Sequence, residues 1–262
     1  MTRILVIARI TWLEVLRRKD LYVLLVLLGA LLMTLVSLNI FGLGGLDMYV
    51  KDVGLLIVWI FGWVLSVGVT SRALPQEEQR GTIFPLLAKP ITRLELIAGK
   101  WLGSWTVVSA AVAVFYVLVT AVIALRGGRM APVPLLQGYV LHCLALGILC
   151  ALALLFSTRM NHDATAALTY VLTVAAMLVI PFVPAFMLHA GGLAGSLFMV
   201  MYNLLPHFEL FDMRKRMVYD YGPLDWKTFF LVTTYGIIYT ASLLLWAWMA
   251  YRRKRFSRGN LV

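Results

Sequence analysis

The sequence predicts an all-α, polytopic membrane protein with six transmembrane helices, an interfacial helix at the N-terminus, and a re-entrant, amphipathic outer region between the fifth and sixth spans. Three observations predict it. The 262 residues are 62% hydrophobic with mean hydropathy +0.90, too apolar for a soluble domain of this length. Six segments (21–41, 53–71, 101–125, 135–157, 164–188 and 228–251) reach the ~20 apolar residues that a helix needs to cross a bilayer. The 23 lysines and arginines are shared unevenly between the two sides these spans define, sixteen on the side of the termini and seven opposite. Cytoplasmic loops retain positive charge, so both termini are expected in the cytoplasm. The net charge of +11 is then a topology signal and calls for no nucleic-acid partner. The spans leave no room for a second folded unit, and residues 1–262 are read as one transmembrane domain.

The elements follow in order. Residues 3–18 place Arg3, Thr11, Glu14, Arg17 and Arg18 on one side of a helix and Ile4, Leu5, Ala8, Trp12, Val15 and Leu16 on the other, with Arg9, Ile7 and Ile10 out of pattern. A basic segment with a tryptophan just ahead of a span lies in the membrane interface. The run 21–41 is longer than a signal-peptide core and ends in Gly42-Leu43-Gly44-Gly45, so it is expected to stay as the first span. A tight connection, 42–52, leads to the second span, and a polar island, 72–100, separates the second from the third. Gly127-Gly128 and Pro132-Val133-Pro134 punctuate the next outer turn. In the brief turn 158–163, Asn161 or Asp163 is placed to cap the following helix.

In the fifth span Thr165, Thr169 and Thr173 recur every four residues and share one face. Such threonines serve as polar glue between helices in lipid, or line a pathway. Pro181 and Pro184 remove backbone donors and should break the outer end of this helix. Within the outer region 189–227, the apolar piece 193–205 is too short to cross and is read as re-entrant. Residues 207–219 set Leu210, Phe211, Met213, Met217 and Val218 against Glu209, Asp212, Arg214, Lys215 and Arg216. This predicts one amphipathic helix, with Asp212 and Arg216 paired four residues apart. Trp226 anchors the last span at the interface, and 252–262 forms a basic cytoplasmic tail.

Little in the chain suggests chemistry of its own. A P-loop needs glycine four residues ahead of Gly-Lys and a hydroxyl after it; Gly99-Lys100 has Leu94 and Trp101 at those places. No Asp, Glu, Lys or Arg falls in the middle of a span, which argues against an ion-coupled transporter. Cys143 and Cys150 are seven residues apart on one helix, a rise of ~10 Å, too far for a bridge. His142 beside Cys143 is read as polar packing, since no second ligand pair accompanies it. Met213, Met217 and His207 are residue types that suit a soft metal, but methionines on the apolar side of an amphipathic helix are read as buried. No nucleophile and base are spaced for catalysis. Neither catalytic nor metal-binding residues, nor any cofactor of its own, are expected.

The polar island carries the most specific signal. It reads Glu77-Glu78-Gln79-Arg80-Gly81-Thr82-Ile83-Phe84-Pro85-Leu86-Leu87-Ala88-Lys89-Pro90-Ile91-Thr92-Arg93, with Gly99-Lys100 at the mouth of the next apolar run. Gly81 permits a sharp turn, 83–88 suits a short helix, and Lys89-Pro90 ends it. Thr92 and Glu95 make a capping box for the next helix. The pattern resembles the first cytosolic loop of ABC type-2 permeases, the membrane subunits of ABC exporters whose ATPase is a separate chain or domain. The resemblance implies an N-terminal elbow helix at 3–18. It also implies a loop that docks on an ATPase subunit through Glu77, Glu78, Gly81, Thr82, Lys89, Pro90 and Arg93, with ATP and Mg held by that partner. It further implies a second permease copy and a pathway at the interface between the copies, formed by the second and fifth spans, where Ser66, Thr70, Thr165, Thr169 and Thr173 are candidates. Members export lipids, polysaccharides, drugs or peptides from the inner (cytoplasmic) membrane, and some serve metalloenzyme maturation. A membrane scaffold or assembly factor without transport is the alternative reading.

Overall fold

A computed structural model describes residues 2–17, 22–23, 26–27, 29–31, 34, 46–79, 92–125, 128–183 and 192–254. The first predicted span lies mostly outside the described residues, as do Gly81, Thr82, Lys89, Pro90, Pro184 and the tail from 255 onwards. The described residues are helical, with turns and no strand: α1 (Thr2–Leu16), α2 (Leu46–Thr70), α3 (Pro75–Gln79), α4 (Arg93–Leu125), α5 (Pro132–Ser157), α6 (His162–Val179), a 3-10 turn (Ile180–Phe182), α7 (Gly192–Leu204), a second 3-10 turn (Phe208–Phe211), α8 (Arg214–Val218) and α9 (Trp226–Arg252).

Among the described residues five helices are long and apolar enough to cross a membrane, beginning at Met48, Arg93, Pro132, His162 and Trp226. They correspond to the second to sixth predicted spans. Helix α4, at 33 residues, rises ~50 Å against a ~30 Å hydrocarbon core. The helix is thus longer than the apolar layer is thick, and Lys100 lies near its N-terminal end.

Helix α5 is the central strut. His142, Leu146, Leu149, Cys150 and Ala153 are all inaccessible, as expected for a helix apolar on every side. The helices packed around it bury only one stripe each. Helix α6 buries Thr165, Thr169, Thr173 and Ala176 and exposes Val171, Val174 and Leu178. Helix α1 lies on the start of α4, where Gly99 and Gly103 allow backbone approach. A Cβ on Gly103 would stand 2.7 Å from Thr11 Cβ and 2.9 Å from the Ala8 carbonyl oxygen. This turns the predicted faces of α1: Ile7 and Thr11, assigned to the polar side, are buried, while Leu5 and Leu16 are exposed. Packing against the glycines outweighs the imperfect segregation of the sequence.

The bundle has two ends. One carries 71–79, 92–93, 158–161 and 253–254, here called the clasp face; the other carries 128–131 and 205–225, the cap face. At Pro181 α6 tightens into a 3-10 turn, but the backbone stays helical through Val183, so the predicted break does not fall among the described residues. The 13-residue α7 does not carry the chain across, because Phe208 and Glu209 beyond it line the same cavity as Ile180 and Pro181 before it. The predicted single helix over 207–219 is instead a 3-10 turn and a short helix, parted at Asp212 and Met213. The break changes the ion pair. Asp212 Oδ1 accepts from the Arg214 backbone N–H (3.0 Å) and Nε (2.9 Å), and Oδ2 from Nη2 (2.6 Å), so its partner is Arg214 and not Arg216.

Candidate functional site: the clasp around residues 71–100

The strand of sequence between α2 and α4 begins and ends on a dense set of charges. Thr92 caps α4 as its spacing predicts: its backbone N–H and hydroxyl donate to Glu95 Oε2 (2.7 and 2.9 Å), and the Glu95 N–H donates back to Thr92 Oγ1 (3.2 Å). This reciprocal cap satisfies the first free amides of the helix. Arg93 then reaches the other end of the chain. One of its terminal nitrogens donates to the carbonyls of Tyr251 (2.7 Å), Arg252 (2.7 Å) and Lys254 (3.1 Å). These are carbonyls at the C-terminal end of α9, where a helix carries unpaired acceptors and partial negative charge. Arg159 adds a bond to the Ala250 carbonyl at 2.9 Å.

Glu77 and Glu78, in the first turn of the five-residue α3, point to different partners. Glu78 receives the Lys254 ammonium on both oxygens (2.8 and 2.7 Å), and the same ammonium donates to the Thr158 carbonyl at 3.0 Å. Glu77 pairs with Lys100, whose side chain is 1% exposed and lies 3.7 Å from Glu14 of α1. Two carboxylates, from Glu14 and Glu77, thus face this buried ammonium. At the neighbouring edge, Arg72 Nε donates to His162 Nε2 (3.0 Å). That nitrogen is therefore an acceptor, so Nδ1 carries the proton it directs at Ser71 Oγ, 2.9 Å away. Beneath the charges sits a separate apolar cluster of Ile7, Ala73, Leu74, Leu96, Ile97, Leu154, Ala247 and Tyr251.

Of the residues the sequence nominated for coupling, Glu77, Glu78 and Arg93 are thus brought into one unit. Gly81, Thr82, Lys89 and Pro90 fall in 80–91, outside the described residues. Sequence reasoning named no partner for Glu14, Lys100, Lys254 or the Tyr251 carbonyl. Their partners lie 23 to 176 positions away, and no local spacing signals such pairs.

The five pathway candidates lie elsewhere. Ser66, Thr70, Thr165, Thr169 and Thr173 are all buried inside the protomer, on the sides of α2 and α6 turned toward the interior. Ser66 donates to the Gly62 carbonyl (2.8 Å), Thr169 to Thr165 (2.7 Å) and Thr173 to Thr169 (2.5 Å), each within its own helix. Cys150 of α5 borders the hydroxyls of Ser66 and Thr70. His142 stacks on Trp59 with centroids 4.4 Å apart. Among the described residues no three His, Cys, Asp or Glu side chains converge as a metal site would need.

A protein-family model described as ABC-2 family transporter protein matches residues 5–258. No curated protein matches the chain.

Proposed function

The chain belongs to the ABC-2 family of transporter proteins, a multi-pass membrane protein by its family and its apolar helices, and from that premise we propose that it is the permease subunit of an ABC exporter, coupled to a separate ATPase through residues 72–100. Membership implies an ATPase component as partner, and membrane domains of this family are not themselves enzymes. ATP and Mg then bind on the partner, and the clasp face is the cytoplasmic one.

The observation that carries the reading is the anchoring of both ends of the 80–91 segment. Gln79 ends a helix whose glutamates grip Lys100 and Lys254, and Thr92 begins one whose arginine grips the end of α9. A push delivered to 80–91 by a partner would reach α1, α4 and α9 together, because all of them share these charges. The exposed apolar flanks of α6 and α9, including Val171, Leu178, Ile237 and Ile238, are suited to lipid or to a second permease copy. The interior hydroxyls support a pathway that opens along the α2–α6 seam when the clasp moves.

The test is ATPase stimulation. The permease should raise the turnover of the ATPase that co-purifies with it. Gly81→Pro and Lys89→Glu should remove that stimulation while leaving the permease folded. A chain that binds no ATPase is a scaffold, and one whose stimulation survives both changes has in this loop only a linker. Cysteine labelling at positions 258 and 215 reports the topology: the two should label from opposite sides, and labelling from one side overturns it.

A further inference from the structure

We propose that the cap face carries a binding site for a phospholipid with a zwitterionic head group, its amine held by Glu209 and its phosphate by Lys215. A cavity of about 290 Å³ opens between the end of α6 and the segment 208–215. Its inner wall is apolar, made by Ala176, Met177, Ile180 and Phe208, and its rim is charged. The wall is firm, because Phe208 is buried against Trp63, with ring centroids 5.2 Å apart.

The charges are not equivalent. Asp212 is fully engaged by Arg214, which also lies over the Trp59 ring at 5.5 Å, so this pair is a fixed neutral wall. Glu209 and Lys215 are exposed and have no ion-pair partner among the described residues. One free anion and one free cation at the mouth of one apolar notch complement a ligand that carries both signs on a head and hydrocarbon behind it.

The level in the membrane agrees. Exposed Tyr219, Tyr221 and Trp226 ring the same face, and such aromatics sit at head-group depth. The exposed Leu178 and Phe182 stand next to the notch on the α6 side, where acyl chains run. The volume is just below that which encloses a whole drug-sized molecule. It suits a head group and the first carbons of a chain, with the remainder in the bilayer.

The experiment uses the full chain in nanodiscs and phosphatidylethanolamine carrying a diazirine near the head of one acyl chain. Matched phosphatidylglycerol and diacylglycerol probes serve as comparisons, and adducts are mapped by mass spectrometry. Phosphatidylethanolamine should label Met177, Ile180 or Phe208 about tenfold more than phosphatidylglycerol, the weight of one charge-assisted hydrogen bond, and phosphatidylglycerol in turn more than diacylglycerol. Glu209→Gln should erase the preference over phosphatidylglycerol, and Lys215→Gln the preference of phosphatidylglycerol over diacylglycerol. Ala176→Phe should abolish labelling at these positions; if that variant does not fold, the two exposed variants decide. Labelling that ignores the head group, or adducts elsewhere only, overturns the site.

Discussion

At the clasp face, segments as much as 176 residues apart are joined by charge; at the cap face, segments similarly distant in sequence are joined by rings and sulfur. The cap buries Phe208, Phe211, Met213, Met217 and Val218 against Trp59, Trp63 and the outer half of α5. Each such side chain contributes roughly 1.5–3 kcal/mol by leaving water. Polar ties there are few and directional. Gln137 accepts from the Leu224 N–H (2.8 Å) and donates to the Leu224 carbonyl (3.0 Å), standing in for a peptide group. Lys51 reaches Asp220 at 3.5 Å. His207 Nδ1 meets the Tyr235 hydroxyl at 3.2 Å, and burial lowers the pKa of its imidazole below the ordinary value. The clasp gains less from its contacts. Glu78 and Lys254 are each about a quarter exposed, and such pairs are worth about 1 kcal/mol or less. The buried Lys100 pair is costly to break but no better than two apolar side chains in its place. The cap is glue, which holds through area. The clasp is a register, which holds through geometry.

The largest effects should come from one position on each face. Lys100→Met removes the buried cation that faces Glu77 and Glu14 and should cost roughly 3–5 kcal/mol of stability to denaturant in micelles. Adding Glu77→Leu should return most of it; a double variant as unstable as the single one would show that Lys100 holds more than charge. Phe211→Ala should cost a similar ~3–5 kcal/mol, with no second substitution on the cap able to restore it. Should a single polar change elsewhere restore it, the contrast between glue and register fails.

A smaller effect is expected where α1 meets α4. Gly103→Ala brings a methyl against the Ala8 carbonyl and Thr11 Cβ, overpacking that costs roughly 1–3 kcal/mol. It should loosen α1, read as faster amide exchange over 2–16, with the cap unchanged. The smallest effect on stability belongs to Glu78→Lys, about 1 kcal/mol or less. Its effect on ATPase stimulation should be larger than its effect on the melting midpoint, and the reciprocal Lys254→Glu should restore both. Raising salt through the molar range should mimic the variant, since exposed pairs are screened within ~3 Å at 1 M. Loss of stability without loss of stimulation would make the clasp an ordinary surface.

The sequence was legible wherever the deciding contact is local. The Thr92–Glu95 box, the Asn161 cap on Ala164 and the 3-10 turn at Pro181 each depend on residues within three or four positions. Two local readings failed for a reason that lies outside the segment. Asp212 was expected to face Arg216 across a helical turn, but the segment bends so that Phe208 and Phe211 can both enter the core, and the turn is lost. The buried side of α1 was set by glycines on α4, about ninety residues later.

Hydropathy was enough to establish a helical membrane chain with five of its spans, and a charged segment between the second and third, because burial in lipid is a sum over each stretch of chain. Which charges meet was decided by the packed bundle alone. Lys100 finds Glu77 and Glu14, Lys254 finds Glu78, and Arg93 finds the end of α9 only when α1, α3, α4 and α9 are side by side. Pairing energies fall off over a few ångströms, and no pattern along the chain encodes which helix ends will lie that close.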